Sequence, residues 1–495
     1  MTKSRPLGVG RTRATIALEV CLLVAITALT RFAFRSQYLY DIDSVNFALA
    51  VRQFDPTLHQ PQPPGYLLYV CLARLIHSFV PDVNEALVAI SIAASCGAAI
   101  MLYGLSRTWF GTRAARCAVV LFIFSPLAWF HGTVALTYIV ELFFSAAIGF
   151  LCWRGSVLAG AVMLGIAAGF RPSSLLFLGP LLVFSLWKKD WATRVAGVLV
   201  LLSTTFAWFI PLIRVSGGWN VWWLSLAVLW HAVPGSHTVL NSSIANSFAR
   251  FVWIFVITGL CFGCTIFLPL VQRRSDCNRR LPAFILVWIA PGLLFFTFAF
   301  LKAVNSGYLL VLTPPVFAWL GLLASEYYKP GRRAVSWLVL ASNVAIFLWA
   351  PVYCSYASVH AFERNLRSVL AALPEVASPA DTLIVGFDSH FMGYRHAGYY
   401  LPGYLTLEFP AVRISDESRI FTMQDGRTRL LPELPPGYTN FIVFPLPRNG
   451  GEYQDYTAGF RNRFPPGVLR TQSTFGQGFI TGPASALPTL FHVDH

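Results

Sequence analysis

The sequence predicts a polytopic α-helical membrane protein of about eleven transmembrane helices, with a small α/β domain on its outer face. Three observations predict it. Apolar residues make up 56% of the 495 and charged residues only 12%, whereas a soluble domain carries roughly 25% charge. The apolar residues fall in runs close to the ~20 residues that a helix needs to cross a bilayer. The basic excess, 37 Lys and Arg against 22 Asp and Glu, sits in short clusters between those runs. That is the pattern of cytoplasmic loops, and it argues against nucleic acid as a partner of the +15 chain. An aromatic content of 15% excludes disorder. Eight of the nine cysteines lie in or beside apolar segments, which excludes a disulfide scaffold. Cys261 and Cys264 form a CxxC with no second pair to complete four zinc ligands, and read as packed thiols in the lipid phase.

The elements follow in order. The first run, 14–33, follows MTKSRPLGVGRTR, whose basic residues place the N-terminus in the cytoplasm. No small-residue cleavage site follows it, so it reads as a retained helix and not a signal peptide. Further spans fall near 84–105, 117–132, 136–153, 156–170, 173–187, 195–214, 247–271, 281–300, 306–325 and 334–352. Alternation puts eighteen basic residues inside, among them Arg107, Arg113, Lys188, Arg273 and Arg274, against eight outside before residue 353. The asymmetry fits the positive-inside rule, and an odd number of spans leaves the C-terminus outside. Arg171-Pro172 divides 156–187 into a hairpin of two short helices meeting outside; a single kinked helix is the other reading, and it would invert everything after it. Residues 65–80 (GYLLYVCLARLIHSFV) are too short to span and carry Arg74 and His77, so they read as an interfacial helix.

The transmembrane region thus covers 1–352, with a first outer loop at 34–83. Residues 353–495 are richer in Pro, Gly and charge. Within them DTLIVGFD (381–388) and NFIVFPLP (440–447) read as buried strands, and FERNLRSVLAALPEV (362–376) as an amphipathic helix. This is the extracytoplasmic α/β domain. No internal repeat supports an inverted-repeat transporter.

The chemistry concentrates in the first outer loop. Acidic residues are rare, yet Asp41 and Asp43 both lie in YLYDIDSVNFALAVRQFD. At i and i+2 their side chains diverge on a strand or a helix, so a close dyad is not expected. One would be a base and the other a structural or metal-binding group. The simpler reading is that Asp43-Ser44 caps the helix of VNFALAVRQF, and a capping carboxylate can also react. Next comes HQPQPPGYLLY, where Pro61, Pro63, Pro64, Gly65 and Tyr66 make a stiff turn into the interfacial helix.

This Asp-bearing loop, the Pro-Pro-Gly-Tyr stretch and the number of spans resemble the GT-C glycosyltransferases. The nearest resemblance is to the bacterial protein O-mannosyltransferase and aminoarabinose–lipid A transferase group, which is family 39-like. Arg107-x-x-Phe110-Gly111 resembles the group's short basic inner loop, and GIAAGFRPSSLLFLGPLL (165–182) its Gly-x-x-x-x-x-Arg-Pro hairpin. Lys302, then Tyr308-Leu309-Leu310 and Pro314, resemble its late Tyr-Leu-Leu-x-x-x-Pro helix. The resemblance covers about 14–330. It implies inverting transfer of a hexosyl or pentosyl unit from a polyprenyl-phosphate sugar donor to a lipid, glycan or protein acceptor. Asp43 matches the family's base; Ser44 stands where the family has Glu, which leaves Asp41 as the available second carboxylate. The resemblance also implies substrate contacts from Lys302, Arg171, Tyr66, Tyr308 and Glu141, and His59 of the first outer loop is a further substrate-binding candidate.

The residue chemistry agrees. A positioned carboxylate can deprotonate an acceptor hydroxyl, and a lipid-phosphate leaving group needs cations. Arg52, Arg74, Arg171 and Lys302 fall at the outer membrane level, where the positive-inside rule disfavours them; snorkelling to lipid headgroups is the alternative. Glu141, between apolar residues, is costly in a membrane and marks a site unless it faces the interface. His59 with Asp43 offers two metal donors, but no ligand spacing marks a centre, so no metal ligand is assigned and a divalent metal stays open. GFDSHFMGYRHAGYYLPGY (386–404) offers His390, Arg395 and His396 as a cover for the acceptor. Short inner loops and a cysteine-poor outer face suggest a bacterial inner membrane. The competing readings are a transporter or flippase of lipid-linked glycans and a non-enzymatic envelope scaffold.

Overall fold

The computed structural model describes residues 13–232, 238, 243–265, 280–301, 303–326, 333–410, 412–414, 417–445, 457–474 and 477–487. The helical part runs α1 (Arg13–Ala33), α2 (Ile42–Arg52), α3 (Leu67–His77), α4 (Val83–Phe110), α5 (Thr112–Ile123), α6 (Pro126–His131), α7 (Tyr138–Trp153), α8 (Val157–Phe170), α9 (Ser173–Leu186), α10 (Trp191–Val215), α11 (Trp219–Ala232), α12 (Ile244–Phe262), α13 (Arg280–Phe298), α14 (Thr313–Glu326) and α15 (Arg333–Trp349). Among the described residues, six helical segments are long and apolar enough to cross a membrane: Arg13–Ala33, Val83–Phe110, Trp191–Val215, Ile244–Thr265, Leu281–Phe298 and Val304–Ser325. The chain is an integral membrane protein built on these helices.

The departures from the expected spans have local causes. The run expected at 117–132 is two helices, because Ser125 is extended and its Oγ accepts from the Ala128 amide (3.3 Å), with Pro126 opening α6. Residues 156–187 do form a hairpin. Arg171 precedes proline and takes an extended backbone (φ −153°, ψ 103°), which ends α8 and lets α9 restart. Each arm has 14 residues, about 21 Å at 1.5 Å per residue, less than the ~30 Å of a hydrocarbon core. The late span begins as a tight helical turn at Ala303–Leu312 before α14. In α3, Tyr69, Val70 and Ala73 face inward while Leu75 is exposed, the amphipathic pattern expected of 65–80. The helix α11 was not foreseen. It presents Trp219, Trp223 and Trp230 outward and turns Trp222 in.

Arg31, expected at the outer end of the first span, is fully buried. It donates to the Ile123 carbonyl (2.7 Å) and lies over the Phe122 and Trp129 rings. A cation there satisfies the free carbonyl end of α5 and fastens α1 to it.

The chain then forms α16 (Tyr356–Val376), β1 (Thr382–Phe387), α17 (Tyr394–Tyr400), β2 (Thr406–Phe409), β3 (Val412–Ile414), β4 (Glu417–Gln424), β5 (Arg427–Leu431), β6 (Asn440–Val443), β7 (Arg470–Thr474) and β8 (Gln477–Pro483). The strands make one sheet in the order β3-β4-β2-β1-β6-β8-β7, with β5 beside β4. The central β1 is parallel to both β2 and β6, in the register Ile384↔Thr406 and Leu383↔Phe441. All six β1 residues are buried, as a strand covered on both faces must be. Ile384 and Ile442 join a core shared with α16, α17 and the membrane helices; Leu383, Val385 and Phe387 face a separate core around Phe441 and Phe460. The small sheet domain is therefore seated on the helical part, and the loop after β1 is directed at α2.

Candidate active site

The site begins with the helix cap. The Asp41 carboxylate, and not Asp43-Ser44, caps α2: its Oδ1 accepts from the Asp43 amide at 2.9 Å. The backbone of Asp41 is extended (φ −110°, ψ 155°), as an N-cap requires. Asp43 thus stands in the first turn of α2 with its side chain released from capping. Burial, then the charge of Asp41, raises its carboxyl to about 7; His390 and Arg171 pull it down and Asp388 pushes it up. The i, i+2 spacing suggested one carboxylate as a base and the other as a structural or metal-binding group; here Asp41 takes the structural part as the helix cap.

Opposite α2, the α8–α9 turn delivers Arg171. Its Nε meets Glu141 Oε2 of α7 at 2.9 Å, and both side chains are buried. Its Nη1 donates to Thr137 Oγ1 at 2.6 Å. Ser173 and Ser174, which open α9, donate to Glu141 Oε1 at 2.9 and 3.1 Å. Three rings surround the guanidinium, with its carbon 4.3 Å from the Tyr138 centroid, 4.5 Å from Tyr308 and 5.9 Å from Tyr66. Such contacts suit arginine's flat, delocalised charge.

Each tyrosine is placed by its own device. Tyr66 has a left-handed backbone (φ 45°) at the start of α3 and packs on Phe47 of α2. The preceding Gly65 (φ 119°) lies against α10 so closely that a Cβ would come within 2.6 Å of Leu212. Trp222 of α11 donates to the Pro64 carbonyl at 3.0 Å. Tyr308 follows Gly307, where a Cβ would fall 2.2 Å from Tyr138 Cγ. The missing side chain is what lets the two rings approach to 5.3 Å.

The sheet domain closes the group from the other side. The His390 carbonyl accepts from the Ile42 amide (2.9 Å), and His390 Nδ1 lies 3.6 Å from Asp41 Oδ2. Arg395 and His396, expected to cover the acceptor, are instead buried fasteners of the first loop. Arg395 donates to the Leu58 carbonyl (2.9 Å) and His396 Nε2 meets the Leu39 carbonyl (3.1 Å).

The structure thus brings together Asp43, Asp41, Arg171, Glu141, Tyr66 and Tyr308. It does not bring in His59, which packs on Phe421 of β4. Burial and the neighbouring Arg395 lower its imidazole to about 4. Lys302 lies outside the described residues. Arg74 donates to the Val51 and Ala50 carbonyls (3.0 and 2.9 Å) and so closes the C-terminal end of α2, while Arg52 lies over Tyr399. No three His, Cys, Asp or Glu side chains cluster as metal ligands among the described residues. Tyr138, Thr137 and Asp388 were missed by the sequence reading. Tyr138 is three residues before Glu141, on the same helical face, and that spacing could have flagged it.

No protein-family model and no curated protein matches the chain. Solved structures do. ArnT from Cupriavidus metallidurans bound to undecaprenyl phosphate aligns with a TM-score of 0.55 at 12% identity, covering 98% of this chain and 100% of that one. Its apo form aligns with a TM-score of 0.51 at the same identity and coverage. An Archaeoglobus fulgidus oligosaccharyltransferase in complex with Zn and sulfate is more distant, with a TM-score of 0.48 at 12% identity over 94% of this chain and 73% of that one. The likeness to ArnT is one of fold: the chain shares the ArnT architecture over nearly its whole length.

Proposed function

We propose that the chain is an inverting glycosyltransferase. It moves a hexosyl or pentosyl unit from a polyprenyl-phosphate donor to a hydroxyl on a lipid, glycan or protein, at the extracytoplasmic face of a bacterial inner membrane. One observation carries the reading. A half-buried carboxylate, Asp43, freed from capping by Asp41, stands in the electrostatic field of Arg171, which Tyr66, Tyr138 and Tyr308 surround. The fold adds support, since the ArnT structure it matches holds undecaprenyl phosphate, a polyprenyl phosphate of the kind this reaction releases.

The chemistry follows from those groups. The acceptor hydroxyl gives its proton to Asp43 as its oxygen attacks the anomeric carbon from the face opposite the phosphate. The carbon–oxygen bond to phosphate breaks, and its electron pair leaves with the polyprenyl phosphate. Arg171 supplies positive charge toward that phosphate and Lys302 joins it; because Glu141 and Thr137 hold two guanidinium nitrogens, Arg171 acts as a fixed, oriented charge. Tyr66 and Tyr308 offer ring faces and hydroxyls to the sugar. On this reading residues 1–352 form the catalytic unit and 353–495 an extracytoplasmic domain that closes over it. No step is assigned to a metal.

The test uses purified full-length protein in detergent, a panel of radiolabelled polyprenyl-phosphate sugars and a membrane lipid extract. Labelled product with release of polyprenyl phosphate is expected for at least one donor. Movement of lipid-linked sugar across a vesicle membrane without any covalent transfer would overturn the reading in favour of a flippase.

A further inference from the structure

We infer that His390, delivered by the sheet domain, is the charge partner of the Asp41–Asp43 pair and thereby a positioning residue for proton removal by Asp43; the inference rests on the glycosyl-transfer reading above. The geometry is specific. The loop between β1 and α17 is fixed to the start of α2 by the hydrogen bond from the Ile42 amide to the His390 carbonyl at 2.9 Å. Asp41 uses its two oxygens for two partners. Oδ1 accepts from the Asp43 amide at 2.9 Å, and Oδ2 faces His390 Nδ1 at 3.6 Å. Phe391, the next residue, packs on Tyr40 at 4.8 Å, so both sides of the contact are held by neighbouring rings.

Several charges converge on this point. Asp43 is faced by Asp41 from its own loop, by Asp388 and His390 from the sheet domain and by Arg171 from the α8–α9 turn. The hydroxyls of Tyr66, Tyr138 and Tyr308 complete its surroundings. Arg171 is already matched by Glu141 in a buried pair. Asp41 and Asp43 repel one another, and His390, when protonated, is a positive group in contact with Asp41. Paired with Asp41, it offsets the repulsion that Asp41 exerts on Asp43 and lets Asp43 stay ionised. In the transfer step the acceptor proton goes to Asp43 and the bonding electron pair leaves with the phosphate; no proton passes to His390. The helical part of the site is therefore incomplete until the sheet domain is docked.

The experiment compares full-length wild type, His390→Gln, His390→Lys and Asp43→Asn by two readouts. The first is the infrared carbonyl band of the protonated Asp43 carboxyl, identified by its loss in Asp43→Asn and followed against pH. The second is the pH–rate profile of transfer. Removing an opposite charge raises a carboxyl pKa by about one unit or more. His390→Gln should therefore move both the band's midpoint and the acid limb of the rate upward by about one pH unit. From a midpoint near 7, that leaves about a tenth of Asp43 ionised at pH 7 where half was before, a roughly fivefold loss that vanishes near pH 9. His390→Lys should restore the wild-type profile. An unmoved midpoint in protein that transfers sugar overturns the inference alone, as does an equal loss at every pH that lysine does not rescue. A moved midpoint in protein that transfers no sugar overturns the proposed function and leaves the charge pairing standing.

Discussion

Breaking the Arg171–Glu141 pair tests how the centre of the site is held. The two groups meet at 2.9 Å with side chains 5% and 1% exposed. Ser173 and Ser174 hold the carboxylate, and Thr137 holds the guanidinium. Arg171→Met leaves a buried carboxylate with two hydroxyl donors and no countercharge, which should cost about 3–5 kcal/mol of stability. Replacing both members, as Arg171→Met with Glu141→Leu, removes the stranded charge and keeps the volume. Replacing a buried ion pair by apolar groups of similar volume is often neutral or stabilising, and the hydroxyls of Thr137, Ser173 and Ser174 are free to turn to other partners. The double variant should therefore be more stable than Arg171→Met by up to about 3–5 kcal/mol, and the cycle should show strong coupling. Reversible unfolding in mixed detergent micelles, followed by circular dichroism, measures all four corners. Additive costs, with the double variant the least stable, would refute the claim that Glu141 is what holds the Arg171 charge in the site.

Four further outcomes follow from the same geometry. Asn caps a helix as well as Asp does but does not pair with His390, so Asp41→Asn should lose less stability than Asp41→Ala, with about 1 kcal/mol between them for the cap; thermal unfolding compares them, and equal losses would remove Asp41 from the cap. Folding raises the Asp43 carboxyl to about 7 and so favours its protonated form. The Asp43 contribution to stability should then be lost as pH rises from about 4 to about 7, so Asp43→Asn should flatten the wild-type slope over that range and leave the part that Glu408, raised to about 8, contributes. Gly307→Ala drives a methyl into the Tyr138 ring and should cost about 1–3 kcal/mol and displace the tyrosines from Arg171; tryptic protection and donor KM report the two effects. Arg74→Ala removes two charged hydrogen bonds from the end of α2, so it should lower stability by about 2–3 kcal/mol with donor KM unchanged. A selective rise in KM would return Arg74 to the phosphate site.

Composition and charge spacing were enough to read a membrane protein of this architecture, because apolar runs and basic loops are local properties of the chain. The Arg171-Pro172 break was legible for the same reason, since proline constrains the residue before it. Asp43, Arg171, Glu141, Tyr66 and Tyr308 were singled out from five separated segments, and the structure places them together. What stayed hidden depends on contacts between distant parts. Nothing in the spacing of Asp41 and Asp43 shows that one caps the helix and releases the other. Nothing local separates His390, which reaches Asp41, from Arg395 and His396, which are consumed in fastening the loop. Arg31 and Arg74 look like outer-face cations in sequence, yet each satisfies the carbonyl end of a neighbouring helix. The break at Ser125-Pro126 was written in the sequence, but an apolar run on both sides concealed it.

The central claim is that Asp43 removes the acceptor proton. The most direct measurement is single-turnover transfer from a competent polyprenyl-phosphate sugar by wild type and Asp43→Asn, with donor binding and thermal unfolding measured on the same preparations. The account predicts that Asp43→Asn folds, binds donor as wild type does and transfers at least 10²-fold more slowly, the usual scale of a lost general base. Transfer at the wild-type rate by folded Asp43→Asn would contradict it.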